Sequence, residues 1–328
     1  AEFMSVYMSH PAFAGVAIID EPHCFRQRTI RELVVAVHSA APDAIVHTCF
    51  LPCYDGMEYG KVFTEHGESS DRWEAYRNYI RAMSQTGLGY FDYDFYPIGH
   101  DGAHSVVGGP YVKNFQTVAR VAQEYGIKFY FTVQSYVENE MIQIRPIDED
   151  DIRFQTYLAL SFGAQGISYY TYWSFQTRAS ENYLGIMGDR GEKILYDQVQ
   201  RVNRELQAIH EQIEGCIYQK TMTIFDRSEK SFMEGAESEK IEQIDNITAS
   251  EDTLFNLLQN KKTGKPVVFA LNGSDPFYKR KDQISFSVEN DRRGLWLLRK
   301  GKKCRIRRGK DGLFRLSLSP GEGVFILL

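Results

Sequence analysis

Residues 10–22 read HPAFAGVAIIDEP. An apolar run from Ala14 to Ile19 passes without a polar break into Asp20-Glu21, and Pro22 stops it. A short apolar run ended by a breaker marks a buried strand, because proline has no N–H to continue a ladder. The pattern then changes period. From Gln27 to Ser39 the apolar positions Ile30, Leu33, Val34 and Val37 recur at helical spacing.

The same strand-then-helix unit repeats down the chain. Ala44 to Leu51 is followed by a helical pattern over Asp71 to Ser84, and Leu88 to Phe91 by Tyr111 to Tyr125. Lys128 to Val133 precedes a helix opening near Asp148, where Asp148 and Asp151 are spaced as a capping box. Gly166 to Tyr172 precedes a long helix from Lys193 to about Glu214. Five βα units with strands this apolar predict a parallel sheet covered by helices. The polar, aromatic-rich connections all follow strand C-termini: Asp20 to Arg26, Pro52 to Ser70, Asp92 to Pro110, Gln134 to Ile147 and Trp173 to Arg190. A TIM barrel builds its active site from such loops. No glycine-rich phosphate loop follows the first strand, as a dinucleotide-binding sheet would need. The expected fold class is α/β, a partial TIM-type (β/α) barrel with parallel strands over residues 1–215.

Beyond Gly215 the periodicity shortens. β-type runs at Ile217 to Ile224, Leu254 to Leu258, Pro266 to Leu271, Ile284 to Val288, Leu295 to Leu298 and Gly323 to Leu328 predict an all-β sandwich-like domain over 216–328. Several of these runs are parted by turn signals such as Asn272-Gly273, Asp311-Gly312 and Pro320-Gly321. Arg227 to Ser250, rich in Glu and Ser, reads as a surface excursion.

Composition narrows the function. A net charge of −5 gives no overall basic field for nucleic acid or an anionic membrane. The local exception is RKGKKCRIRRGK at 299–310, with eight cations around Cys304 and Ile306, read as a strand with a charged, solvated outer face or else an anion-binding patch. Five cysteines without paired spacing predict reduced thiols and no disulfide framework. His100 and His104 are four apart, but Gly102 between them argues against a helical metal pair, so neither metal nor cofactor is expected. No apolar run reaches the roughly 18 residues of a membrane span, and no secretory signal stands at the start. Ala1-Glu2-Phe3 ahead of Met4 reads as a cloning scar, which leaves the localisation of the parent protein, cytoplasmic or secreted, unassigned.

The residues with chemistry cluster at strand ends. Asp20 and Glu21 close the first strand and, being adjacent, point to opposite sides of it. Asp92 and Asp94 alternate with aromatics in FDYDFYP (91–97) and share a face. The fourth strand ends at Gln134, with Glu138 in the loop beyond, and the fifth at Tyr172-Trp173. Paired carboxylates beside aromatic platforms suit glycoside hydrolysis, where one acid protonates the leaving oxygen and a second attacks or activates water. A Gly-x-Ser-x-Gly elbow, which an ester hydrolase would use, is absent from the sequence.

HPAFAGVAIIDEP, FDYDFYP, FTVQS, the Arg145-Pro146 to Gln155 segment and FGAQGISYYTYW, in this order, resemble the C-terminal half of a clan A-like glycoside hydrolase barrel, strands four to eight, over residues 10–175. The ending Leu316 to Leu328 resembles the last strand of the β-sandwich domains that follow such barrels. The resemblance implies that Glu21 is the general acid/base, with Asp20 where the clan has Asn. It also implies a nucleophilic Glu at Gln134, so Asp94 or Glu138 would have to serve, or retaining chemistry is lost. Asp20, Asp92, Tyr96, Gln134, Tyr172 and Trp173 would line the sugar site. The expected partner is an oligosaccharide or polysaccharide; the alternative is a non-catalytic carbohydrate-binding or assembly fragment. With three strands missing, a truncated barrel is expected to complete itself as a homo-oligomer.

Overall fold

A computed structural model describes residues 6–54, 62–64, 71–101, 104–138, 145–178, 181–224, 232–233, 235–289 and 292–328. The chain divides into two compact units. The first comprises Ala1–Phe95, Asn114–Thr132 and Ala164–Gly166, and the second Tyr96–Lys113, Val133–Gly163 and Ile167–Leu328.

The first unit is built on parallel strands. β1 (Gly15–Ala17) pairs in parallel with β2 (Ile45–His47), which continues after one residue as β3 (Cys49–Phe50). β3 pairs in parallel with β4 (Tyr90–Asp94), and Gly89 and Asp92 donate to the carbonyls of Val46 and Thr48 at 3.1 and 3.0 Å. β4 pairs in parallel with β7 (Lys128–Gln134), from Tyr90↔Lys128 to Asp94↔Thr132. Each strand lies beside the next in sequence, without the reversal that defines a doubly wound sheet. This is the winding of a (β/α) barrel, as expected.

Between these strands run α1 (Gln27–Ala40), α2 (Arg72–Ser84) and α3 (Tyr111–Tyr125). α1 buries Ile30, Val34 and Val37, the stripe read from the sequence, while Leu33 remains 36% exposed at its margin. Asp71 caps α2 by accepting from the N–H groups of Trp73 and Glu74. One face of the sheet is aromatic and sealed: Phe91 stacks on Phe50 at 4.3 Å, and Tyr93 meets Phe115 of α3 and Phe131 of β7 at 5.4 and 5.5 Å. The other face corrects the expectation that both would be closed. Ile45 there is 44% exposed, and His47, Tyr90 and Tyr130 are half-buried. Alternate residues of the apolar runs carry polar or amphipathic side chains, so run-level hydrophobicity overstates burial on that side.

In the second unit the hairpin β5–β6 (Ile98–Asp101, His104–Val107) precedes α3. A small antiparallel sheet joins β8 (Val137–Glu138), β11 (Glu181–Leu184) and β10 (Phe175–Arg178). These occupy segments read from sequence as loops; strands of two to four residues are too short to show a period. α4 (Glu149–Ser161) opens with the expected capping box of Asp148 and Asp151. β9 (Gly166–Tyr170) follows α4 in sequence, and α5 (Tyr196–Ile213) comes after it.

The remainder is a two-sheet sandwich. Six strands lie in the order β12 (Cys216–Ile224), β14 (Thr253–Asn260), β15 (Pro266–Asn272), β20 (Gly323–Leu327), β17 (Gly294–Arg299) and β18 (Lys302–Arg307). Opposite lie β13 (Ile244–Thr248), β16 (Asp282–Val288) and β19 (Phe314–Leu318). Phe255, Val268, Leu297 and Ile326 of one sheet share a core with Ile284, Phe286, Phe314 and Leu316 of the other. β14, β15 and β20 are apolar at consecutive positions because α4 covers their outer face, with Tyr157 on Phe325 at 6.4 Å. β16 and β19 alternate instead, as one-sided strands do. The surface excursion expected over 227–250 is corrected in part. Phe232 is 2% exposed and packs on Phe154 at 4.9 Å, and β13 falls inside the segment.

Glu322 illustrates how a polar group is held in this fold. It is 0% exposed, takes a bidentate fork from Arg299 at 2.7 and 2.9 Å, and accepts from the Ser319 N–H at 2.8 Å. Burial works to raise its pKa, but the Arg299 guanidinium and the Ser319 N–H prevail and hold it below the ordinary carboxylate value. A group with a depressed folded pKa contributes stability present above its unfolded pKa, and that contribution is lost as pH falls through the folded value. The melting temperature of the wild type is therefore expected to fall more steeply than that of Glu322→Gln between about pH 5 and about pH 3. Parallel slopes in thermal melts would contradict this.

Candidate active site

The Asp20-Glu21 pair is fixed beside β3. Ile18 donates to the His47 carbonyl at 2.9 Å and Glu21 to the Cys49 carbonyl at 3.1 Å, so pairing continues past the end of β1. The Thr48 hydroxyl donates to the Ile19 carbonyl, and the buried Tyr79 hydroxyl to that of Pro22 at 2.7 Å. Glu21 itself has φ of 42°, a left-handed conformation rarely adopted by a residue with a side chain. Its carboxyl is pushed above the ordinary value, first by the desolvation of surrounding protein and then by the charge of Asp20. The side chain retains solvent access, so the site combines a reachable acid with a raised proton affinity. Because the left-handed backbone costs on the order of 1 kcal/mol, Glu21→Gly is expected to melt at or above the wild-type temperature. A clear drop would contradict a strained Glu21.

Asp92 and Asp94 are 9% and 6% exposed and share a face of β4, as their spacing predicts. Cys49 is the register partner of Asp92. The Cys49 thiol is pushed up by burial and then by Asp94, Asp92, Asp20 and Glu21 in turn, so all four carboxylates lie within electrostatic reach of one sulfur. Asp92 Oδ2 stands 3.3 Å from His47 Nδ1, and the imidazole stacks on Tyr90 at 4.7 Å, which stacks on Tyr130 at 4.1 Å. Sequence reading missed His47 and Cys49. Their alternation, two apart on the strand between those of the acids, was the available signal. The loop after β3 is pinned by Asn114, whose amide accepts from Cys53 N at 2.8 Å and donates to Cys53 O at 3.0 Å.

The remaining sequence-derived residues belong to the second unit. Gln134 is 0% exposed, and its amide is taken up by the backbone of Ile98, accepting at 2.9 Å and donating at 3.0 Å. Its own N–H donates to Gln155 at 2.9 Å. That engagement leaves no surface for a sugar, and the expectation that Gln134 lines a subsite is replaced by a structural role. Tyr96 packs against Tyr136 edge-on at 5.4 Å and on Tyr170 at 5.8 Å. Tyr172 and Trp173 are 46% and 53% exposed and meet edge to face at 5.1 Å. The backbone of Glu138 lies in β8, paired with Tyr183, while its side chain falls outside the described residues. Among the described residues, no group of three His, Cys, Asp or Glu side chains is placed to hold a metal ion. No described helix is long and apolar enough to cross a membrane.

No protein-family model and no curated protein matches this sequence. Solved structures do. A GH42 β-galactosidase from G. stearothermophilus superposes with a TM-score of 0.50 at 7% identity, over 92% of this chain and 66% of that one. An α-L-arabinofuranosidase from Thermotoga maritima aligns with a TM-score of 0.42 at 12% identity, over 93% of this chain and 62% of that one. A β-galactosidase from Marinomonas ef1 gives 0.40 at 13% identity, over 57% of this chain and 27% of that one. The chain thus spans less than two thirds of the length of each. The likeness is one of fold, and it agrees with the expected (β/α) barrel followed by a β-sandwich.

Proposed function

We propose that this chain is a glycoside hydrolase acting on O-glycosidic bonds of plant or other glycans, with Glu21 as general acid/base. The observation that carries the reading is the raised proton affinity of Glu21 at the C-terminal end of a barrel strand, with three further carboxylates of the same unit grouped around Cys49. A carboxyl that holds its proton to higher pH than an ordinary one can deliver it to a departing sugar oxygen, and an ionised neighbour serves the opposite role. Asp94 is the best second carboxylate: it ends β4 as Glu21 follows β1, and its face of the strand also carries Asp92. Asp20 and Asp92 would bind hydroxyls of the sugar. Asp92 Oδ2 lies 3.3 Å from His47 Nδ1. In the second unit, the exposed rings of Tyr172 and Trp173 suit the apolar face of a pyranose. Glu138 remains the other candidate for the second carboxylate.

A second reading, a non-catalytic glycan-binding protein, is favoured by Gln134, an amide where the family resemblance implies a nucleophile. A panel of aryl glycosides and plant polysaccharides, incubated with wild type and Glu21→Gln, separates the two. Hydrolysis that Glu21→Gln abolishes supports the enzyme; glycan binding without hydrolysis supports the binder. Hydrolysis unchanged in Glu21→Gln would overturn the assignment of the acid.

A further inference from the structure

The basic run of the sequence forms a surface that the proposed hydrolytic site does not use. β18 is the edge strand of the six-stranded sheet and pairs only with β17 there. Cys304 and Ile306 point inward and pack against the sandwich core. Lys303, Arg305 and Arg307, at alternate positions, are exposed on the other face. Trp296 of β17, the register partner of Arg305, lies among them and is 46% exposed. The Lys303 ammonium sits 5.2 Å from the centre of its ring and the Arg305 guanidinium 5.9 Å. A Cβ on Gly294 would lie 2.6 Å from Arg305 Nε and 2.9 Å from the backbone carbonyl oxygen of Ile306. Among the described residues, no carboxylate forms an ion pair with Lys302, Lys303, Arg305 or Arg307, although Arg299 at the end of β17 is fully paired with Glu322.

Charges alone would protect an edge strand from aggregation. That role does not require an exposed indole set between the cations. We propose that this face of β17 and β18 binds an acidic polysaccharide, with Trp296 stacking on a sugar ring and Lys303, Arg305 and Arg307 meeting its carboxylates. The inference rests on the glycan-directed reading above and adds a second, anionic class of ligand. Cations on alternate strand residues recur about every 7 Å, a row of positive charge that complements a polyanionic chain. Single-stranded nucleic acid is bound on several aromatic platforms in succession, and this face offers one.

The test is affinity electrophoresis of the full chain in native gels containing polygalacturonate, with fully methyl-esterified pectin as the neutral counterpart. Wild type is expected to be retarded by polygalacturonate and not by the esterified polymer. Retardation should weaken when ionic strength rises from about 0.05 to about 0.3 M. Trp296→Ala is expected to weaken binding about tenfold, and Lys303→Glu combined with Arg305→Glu to abolish it, with unchanged circular dichroism. Wild type migrating freely, or either variant retarded like wild type, would overturn the proposal. Single-stranded DNA retarding the wild type at least as strongly through the same residues would overturn it in favour of a nucleic-acid surface. The readout needs no turnover. Binding through these residues in a chain that hydrolyses no glycoside would therefore sink the proposed function and leave this inference standing.

Discussion

Glu21→Gln is expected to lower kcat/KM on glycosides with poor leaving groups by about 10²–10⁴-fold, the range supplied by a positioned general acid. The amide keeps the size and the backbone of Glu21 while removing the proton that the departing oxygen needs. Its backbone N–H bond to Cys49 O survives, so the melting temperature should hardly move. The pH profile adds a sign. Desolvation and then Asp20 raise the Glu21 pKa, so the protonated form persists to higher pH than for an ordinary carboxyl. The alkaline limb of kcat/KM should accordingly lie above the ordinary Glu value of about 4.3. Asp20→Asn removes the smaller of the two causes and should shift that limb towards acid. A limb that stays in place would show that burial alone sets it.

Arg145→Met is expected to destabilise the protein by about 3–5 kcal/mol, the cost of stranding buried carboxylates. Arg145 is 1% exposed. Its guanidinium forks onto both oxygens of Asp151 at 2.7 Å, reaches Asp275 at 2.8 Å, and donates to the Ser105 hydroxyl. It also lies 5.4 Å over the Phe277 ring. One side chain thereby ties the N-terminus of α4 to the turn after β15 and to the β5–β6 hairpin. Ser105 donates to Asp275 at 2.7 Å, and Tyr278 donates to the Ser105 carbonyl at 3.1 Å, so the network closes on itself. Lysine keeps the charge but loses the planar fork, and Arg145→Lys should fall between wild type and Arg145→Met. Thermal and urea unfolding of the three proteins read this order. A loss below about 1 kcal/mol for Arg145→Met would contradict a buried network of this weight.

How far the sequence could be read depends on length scale. Runs such as AGVAII and KFYFTV carry their strand assignment in consecutive apolar residues, and the Asp148/Asp151 spacing carries the start of α4. β8, β10 and β11 do not, because two to four residues inside aromatic loops offer no period. The charged outer face of β18 was legible from alternation around Cys304 and Ile306; the indole between its cations depends on the β17–β18 register, which no local pattern encodes. At the candidate site, Glu21, Asp92 and Asp94 stand out as acids at strand ends. His47 and Cys49 do not, since each reads locally as part of an apolar strand and gains meaning only from the neighbouring acids. Gln134 was legible as a departure from the family pattern. Its burial was not, because the partner that engages it, Ile98, lies 36 residues away in sequence.

A leaving-group series on one sugar, comparing wild type with Glu21→Gln, tests Glu21 as the proton donor. A general acid matters most where the departing oxygen is basic and least where it leaves unaided. Glu21→Gln is expected to lose about 10²–10⁴-fold on alkyl or disaccharide substrates, the loss shrinking towards none for a dinitrophenyl glycoside. A loss of equal size across the series, or no loss at all, would contradict Glu21 as the proton donor.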